Sequence, residues 1–311
     1  MGYLLRRLAA TLPVMAVVAV VVFLLIHLSP GDPAALIAGD FATTDDIARL
    51  RVALGLDQPL WRQFALWLGR ILTGDFGTSI FTQVPVTRLL AQRLEPTLSI
   101  ALITMAIALA LSVPLGTLAA HRAGSWVDRA VMLFAVLAFS VPVFLVGYLL
   151  IYGFAIQLGW FPVQGYVRIS EGVGGWLRSL TLPCLNLALL YMALLTRMTR
   201  ATVLEVLQED YIRTARAKGL GVLAVLGHAL RNAAVPIATT AGVGIALLIG
   251  GVVVTETVFA IPGVGRLVID SVQRHDYPVI QSVLLLSAGV YVLINLLIDL
   301  SYRLFDPRIR Y

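Results

Sequence analysis

The chain has 311 residues, of which 59% are apolar and 13% are charged, and its mean hydropathy is +0.91. Soluble globular domains carry about 25% charged residues, so the 23 basic and 17 acidic side chains are too few to cover a water-soluble protein of this size. These values exclude a soluble globule and indicate a chain that lies largely in lipid. Basic loops on one side of a membrane explain the net charge of +6 better than nucleic-acid binding does.

Six apolar stretches are long enough to cross the bilayer, which requires about 20 helical residues. They are Leu8 to Leu28, Thr97 to Ala120, Ala130 to Leu158, Leu177 to Leu195, Ala233 to Thr255 and Val279 to Leu300. The first is longer than the apolar core of a cleavable signal peptide, about 7 to 15 residues, so we expect it to be retained. The sequence therefore predicts an all-α, polytopic membrane protein with six transmembrane helices.

A long segment, 29–96, separates the first and second stretches. Thr44 with Asp45 and Asp46 is typical of a helix start, and Pro59 opens a second helix over Leu60 to Leu72 before Gly74. In that helix the large apolar side chains recur at helical spacing. We expect a helical, amphipathic insertion on the outer membrane surface, which either shields the bundle or docks a partner.

Prolines interrupt the third and fourth stretches at Pro142 and Pro183. Proline removes a helical hydrogen bond and bends a membrane helix, although neighbouring helices can accommodate it. The third stretch is also long enough to tilt or to extend past the bilayer. A bend at Pro142 is explained either by packing or by a position along a path.

A second long segment, 196–232, precedes the fifth stretch. Residues Asp210 to Gly219 are typical of a short helix, with acids at the start, Lys218 in the last turn and Gly219 as the left-handed stop. A second helical piece over Val222 to Ala233 then leads into the membrane. From the residues alone, this is either a rigid protrusion that contacts a partner or an ordinary basic loop.

Glu256 lies at the outer end of the fifth stretch, before a turn that contains Pro262 and Gly263 and a short amphipathic helix from Arg266 to His275. An acid inside a span suggests a functional site, but an interfacial partner for Arg266 explains Glu256 equally well. Together with Pro142, we treat Glu256, Pro262 and Gly263 as candidate gate or path residues.

The distribution of basic residues predicts the orientation. With the N-terminus inside, the inner segments carry 13 basic and five acidic residues, a net charge of +8. The outer segments carry about as many acids as bases, and most of their bases lie in the long insertion, whose translocation depends little on charge. We therefore expect both termini in the cytoplasm.

No enzymatic motif is present in the sequence. Lys218 is the only lysine and Gly219 follows it, which excludes a phosphate-binding G-K-S/T loop. None of the four histidines belongs to an H-E-x-x-H pair, no G-x-S-x-G motif occurs, and the single Cys184 cannot form an internal disulfide. The sequence predicts no catalytic, metal or cofactor site in this chain.

At the level of motifs the chain resembles the permease subunits of bacterial binding-protein-dependent ABC importers, in their peptide/nickel branch. The segment from Tyr211 to Leu220, followed by His228 to Pro236, resembles the peptide-importer form of the family's E-A-A-x-x-x-G loop. It departs from the general form at Arg213 and Thr214, where Glu and Ala would stand, and keeps Ala215. Further similarities follow in chain order: 28–33, 54–59, 74–77, 253–259, 262–265 and 306–311.

The resemblance implies a coupling helix that docks in a separate ATPase subunit, formed here by Tyr211, Arg213, Thr214, Ala215, Arg216, Lys218 and Gly219. It further implies a second permease, two ATPase subunits that bind ATP and magnesium, and a periplasmic or lipid-anchored substrate-binding protein. The long insertion is similar to that of the first permease of such pairs, with dipeptide, oligopeptide or glutathione as cargo and nickel more distant. The implied location is the bacterial inner membrane.

The implied organisation is a first helix over 1–28, a periplasmic insertion over 29–96 and a permease core over 97–311 that includes the coupling region 196–232. The alternative is a secondary transporter or a channel subunit with no ATPase partner. Such a transporter would require inverted repeats and a midplane ion site, and neither is evident in the sequence.

Overall fold

The computed structural model describes the backbone of residues 2–28, 34–35, 43–53 and 55–305 and the side chains of these residues except 2–9, 46, 50, 53, 249 and 299–305. Within these residues the chain is helical, and the strand-like pairing consists of one isolated bridge between Thr78 and Pro85. The motif positions 29–33 and 306–311 lie outside the described residues. The predicted all-α class is confirmed.

The helices are named here in chain order. They are α1 Gly2–Leu28, α2 Thr44–Ala53, α3 Leu60–Leu72, α4 Val86–His121, α5 Trp126–Ser140, α6 Val143–Leu150, α7 Val173–Val206, α8 Asp210–Ala217, α9 Val222–Val258, α10 Val264–Gln273 and α11 Tyr277–Phe305. A π-helix, Ile151–Gln157, continues α6, and a short 3₁₀ turn covers Ile169–Glu171. The predicted helix over 60–72 is confirmed, and the short helix predicted within 210–219 spans Asp210–Ala217.

Five described helices are long and apolar enough to cross a membrane, and the bent pair α5–α6 makes a sixth if it counts as one span. Each predicted stretch therefore falls on a helix or on this pair. Helices α4, α7 and α9 have 36, 34 and 37 residues, about 50 Å at 1.5 Å per residue. They exceed the hydrocarbon core of about 30 Å, so helical structure continues into the segments that the sequence assigned to the insertion and to the inner region.

The third stretch is not one tilted helix, as its length had suggested. Helix α5 ends at Ser140 and α6 begins at Val143, and their axes differ by 100°. Val141 has extended backbone, with ψ of 128°, because proline disfavours a helical residue before it. Pro142 is extended as well, with ψ of 133°. The prediction of a mere kink at Pro142 is corrected to a full break.

The chain divides into two compact units, residues 1–94 with 267–292 and residues 95–266 with 293–311. In the first, Ala19, Val22 and Leu285 form a small core against which Phe64, Trp67 and Ile71 of α3 pack. These three side chains share one face of α3, and their partial burial explains why the predicted amphipathic helix forms there.

The core of the second unit is centred on α7. Of the most apolar 18-residue stretch of this helix, 72% is buried. Leu180, Leu187, Tyr191 and Leu195 of this helix lie in one large apolar cluster. A second cluster joins the end of α4 to α7, α8 and the start of α9, with Ala120, Val203, Leu207, Ile212, Val225, Ala229, Ala233 and Ile237. Helix α8 is thus attached to the ends of three long helices.

Candidate functional site: helix α8 and its surroundings

Helix α8 is anchored by a single large apolar side chain. Ile212 is completely buried, and it packs in the cluster with Val203, Leu207 and Val225. Two residues of α8 flank it: Ala215 is half-buried and Tyr211 is 44% exposed. Because α8 has only eight residues, burial of this one face fixes the direction in which the opposite face points.

The C-terminal end of α8 is locked by a Schellman motif. The backbone N–H of Leu220 donates to the carbonyl of Ala215 at 3.2 Å, and that of Gly219 donates to the carbonyl of Arg216 at 2.9 Å. Gly219 has φ of +83°, the left-handed conformation that this motif requires and that glycine adopts without strain. The predicted role of Gly219 as a helix stop is confirmed.

The exposed face of α8 carries small and basic side chains. Arg213, Thr214, Arg216 and Ala217 are exposed, as is Lys218 at the helix end. Arg213 forms an ion pair with Asp210 at 3.3 Å, but the two side chains are 74% and 95% exposed. Such surface pairs contribute little to folding, and the basic side chains of this face are accessible to solvent.

The sequence did not predict a link between α8 and α9 through Tyr211. The side-chain amide of Asn232 on α9 donates to the Tyr211 hydroxyl at 2.8 Å. Partial burial raises the pKa of the Tyr211 hydroxyl, an effect that the Asn232 hydrogen bond opposes. The phenol is therefore neutral at physiological pH, and the bond fixes one side of α8 against α9.

Glu256 does not line an open path in this structure. Its side chain is completely buried, and its carboxylate accepts hydrogen bonds from the Thr97 hydroxyl at 2.6 Å and the backbone N–H of Arg266 at 2.9 Å. Thr97 also accepts the N–H of Val264 at 2.8 Å. Glu256 therefore joins α4, α9 and α10, and this contact to Arg266 runs through the backbone rather than through the expected interfacial side chain.

Gly263 makes room for this carboxylate. A methyl group on its α-carbon would overlap the carboxylate of Glu256, and one on Gly265 would lie 2.7 Å from the Cα atom of Val253. Gly263 is buried, whereas Pro262 is exposed. The four candidate gate residues therefore do not form one site: Glu256 and Gly263 are in contact, Pro262 lies on the adjoining turn, and Pro142 lies at the exposed α5–α6 break.

Asp128 and Arg200 form an ion pair that the sequence did not indicate. The Arg200 Nε and Nη2 atoms donate to the two carboxylate oxygens of Asp128 at 2.5 and 2.7 Å. From the sequence, both residues were expected only to contribute to the charge of the inner segments. They are 72 positions apart in the chain. No local pattern indicates a pair at that separation, since only the packing of α5 on α7 brings the side chains together.

A cavity of about 380 Å³ lies in the unit formed by 1–94 and 267–292. Its walls include Phe23 and His27 of α1, Trp67 and Arg70 of α3, and Gln281 of α11. His27 is held there by a 3.1 Å hydrogen bond to Gln63. The walls come from both ends of the sequence, which is why the cavity was not predicted.

Two family models match consecutive parts of the chain. Residues 1–101 match the N-terminal model, and residues 112–311 the main model, of the binding-protein-dependent transport system inner membrane component. A Sinorhizobium fredii protein named as a peptide ABC transporter permease, y4tP, is 55% identical, with 99% of each chain covered. The glutathione transport system permease protein GsiC of Salmonella choleraesuis is 43% identical, over 100% of this chain and 99% of its own.

Among solved structures, the chain is similar to one from the MetNI methionine ABC transporter, described as inward facing. The TM-score is 0.59 at 19% sequence identity, covering 71% of this chain and 97% of that one. At this identity the likeness shows the fold alone. With both family models matched and full-length relatives above 40% identity, this chain belongs to the inner membrane components of binding-protein-dependent ABC transport systems.

Proposed function

We propose that this chain forms half of the translocation path of an ATP-driven peptide importer and couples that path to separate ATPase subunits through α8. The proposal is carried by one observation: α8 is a short helix held by Ile212 and the Schellman motif, with a small, basic and exposed face. Such a rigid protrusion can transmit force, whereas a flexible basic loop cannot.

The cargo assignment rests on the relatives, whose names specify peptide and glutathione transport. We propose a dipeptide, a longer peptide or glutathione as substrate, delivered by a periplasmic or lipid-anchored binding protein. A second permease and two ATPase subunits complete the assembly, and ATP and magnesium bind in the ATPases. Membership of this family favours an importer subunit over a secondary transporter or a channel.

In this proposal both termini and the region 196–232 lie in the cytoplasm, and the insertion 29–96 lies in the periplasm. The segments 1–28 and 97–311 then supply the membrane-embedded part. Closure of the ATPases on ATP pushes α8, and the attached helix ends move with it, so that the path opens alternately to the two sides.

The test is uptake by the complete transporter, purified with its partner subunits and reconstituted in proteoliposomes with its binding protein. We expect uptake of a labelled dipeptide, a longer peptide or glutathione that requires ATP and magnesium and is unaffected by a proton ionophore. Affinity of the binding protein for the same ligands identifies the cargo. Uptake driven by an ion gradient without ATP would contradict the proposal.

A further inference from the structure

The Asp128 carboxylate joins three parts of the second unit. Besides the two bonds from Arg200, it accepts the backbone N–H of Gly124 at 2.9 Å, and the Asp128 N–H is capped by the Ser125 hydroxyl at 3.5 Å. The α4–α5 turn, the first turn of α5 and the side of α7 therefore meet at one carboxylate that is only 4% exposed. A two-pronged guanidinium–carboxylate contact fixes orientation as well as distance.

Helix α5 packs along α7, but much of its surface faces away from the rest of the chain. Of its 15 residues, Val127, Asp128 and Ala135 are buried, and large side chains along it, such as Leu133, Leu137 and Phe139, are more than half exposed. Exposed apolar side chains in a membrane contact lipid, and lipid does not hold a helix in one fixed position. Within this apolar packing, the ion pair is the directional contact that fixes the position of α5 along α7.

Arg200 lies on the part of α7 that is packed against the candidate coupling helix. Val203 and Leu207, one and two turns further along the chain, contact the cluster around Ile212 of α8. On the other side, a methyl group on Gly116 of α4 would lie 2.7 Å from the Cβ atom of Thr199. The inner ends of α4, α7, α8 and α9 are therefore closely packed, and closely packed bodies move as units.

We propose that the Asp128–Arg200 pair is the polar lock that makes the broken span α5–α6 follow displacement of α8 without slipping along α7. The inference rests on the proposed function, since it assumes that an ATPase moves α8. In it, Asp128 and Arg200 are positioning residues: neither contacts nucleotide or cargo, and their bonds make α5 follow α7. Without the bonds, only the apolar packing of α5 and α6 on their neighbours remains, and α5 can slide along α7 when α7 moves.

The test compares Asp128→Asn, Arg200→Met and Arg200→Lys in the complete reconstituted transporter. Asp128→Asn retains the shape of the side chain and an oxygen for Gly124, but it removes the charge and places an NH2 donor where an oxygen accepted from Arg200 Nε. Arg200→Lys retains the charge without the two-pronged geometry. The matched control is Arg197→Met, which removes an exposed arginine one turn earlier on the same helix. Uptake, ATP hydrolysis and co-purification of the ATPase are measured for each variant.

Movement of α6 is measured directly by spin labels at cysteines replacing Leu149 of α6 and Leu177 of α7, which are 59% and 47% exposed. Cys184 is completely buried and can remain in place. The distance between the labels is recorded without nucleotide and with ATP and vanadate. In the wild-type background we expect a nucleotide-dependent shift.

We expect Asp128→Asn and Arg200→Met to assemble and to hydrolyse ATP within about twofold of wild type. Uptake should fall at least tenfold and the distance shift should be lost, with Arg200→Lys intermediate and Arg197→Met normal. Normal uptake or an unchanged shift in the first two variants would overturn the inference, as would failure of all three pair variants to assemble, which would make the pair a folding contact. If the wild type itself shows no ATP-dependent uptake, the proposed function fails first.

Discussion

At the scale of the residue, Gly219 illustrates how one backbone conformation can fix the end of the proposed coupling helix. Its φ of +83° is reached in open space, since no atom lies within 4 Å of the position that a Cβ atom would occupy. The free-energy cost of placing another residue at this position therefore comes from backbone strain and not from a steric clash. A β-branched side chain is the least tolerant of this region.

We expect Gly219→Val to insert in the membrane but to lose substrate-stimulated ATP hydrolysis and uptake. Left-handed backbone costs an L-residue about 1 to 2 kcal/mol, enough to unwind the last turn of an eight-residue helix. Gly219→Asn should retain much of the activity, because asparagine tolerates this conformation. Gly221→Val is the matched control, since Gly221 is two residues away at φ of −66° with open space around it. Normal transport by Gly219→Val would contradict the prediction.

Gly263 is restricted for the opposite reason, since its neighbour and not its backbone excludes a side chain. Gly263→Ala should displace the Glu256 carboxylate from Thr97 and from the Arg266 N–H, and hydrogen bonds to a charged group contribute about 1.5 to 3 kcal/mol each. We expect a lower thermal unfolding midpoint in detergent. Gly227→Ala, on the helix that carries Glu256 but in open space, should be neutral or slightly stabilising. Equal midpoints for the two variants would show that Glu256 adjusts freely.

At the scale of the element, the exposed face of α8 separates docking from simple charge. We expect Arg213→Gln, Arg216→Gln and Lys218→Gln to leave folding unchanged, since none of these side chains is buried. Arg213 and Arg216 share one side of the helix and Lys218 lies at its end. At least one of the two arginine replacements should weaken co-purification of the ATPase at equal expression, whereas Lys218→Gln should have little effect. Undisturbed complexes in all three would identify the segment as an ordinary basic loop.

The α5–α6 break is the second feature at this scale. We expect Pro142→Ala to lengthen the distance between labels at Leu133 and Leu149, because removing the proline permits helical backbone at Val141. A straight helix would separate these Cα atoms by about 24 Å, and the 100° bend brings them closer. Pro114→Ala is the control, as Pro114 is exposed within a continuous helix.

An unchanged distance in Pro142→Ala would assign the break to packing of α6. Gly147 is the contact that would then hold it, since an added methyl group there would lie 3.2 Å from Val258 and 3.4 Å from Asn186. Uptake measured on the same variants would show whether the bend is needed for transport.

At the scale of the whole molecule, the charge distribution gives a topology that can be tested. Single cysteines replacing Leu72 and Leu223 are suitable, as these side chains are 79% and 86% exposed. With an inner net charge of +8, an impermeant thiol reagent should label position 72 from outside intact cells and position 223 only after permeabilisation. The reverse pattern would place α8 beyond the reach of a cytoplasmic ATPase and overturn the coupling proposal as well.

Local chemistry determined much of this protein. Apolar runs of membrane length located the spans, Pro59 and Gly74 delimited α3, and Gly219 ended α8, because each effect acts within one or two turns of the chain. The same locality explains why motifs sufficed to identify the family.

Tertiary structure decided the rest. Prolines 96, 114, 183 and 236 lie inside continuous helices, whereas Pro142 lies at a 100° break, so whether a proline bends or breaks a helix depends on the helices packed around it. Glu256 meets Thr97 across 159 positions and Asp128 meets Arg200 across 72. The residue type of a charged side chain does not show whether it faces solvent or pairs with another residue. Only the packing of distant helices determines which of the two occurs.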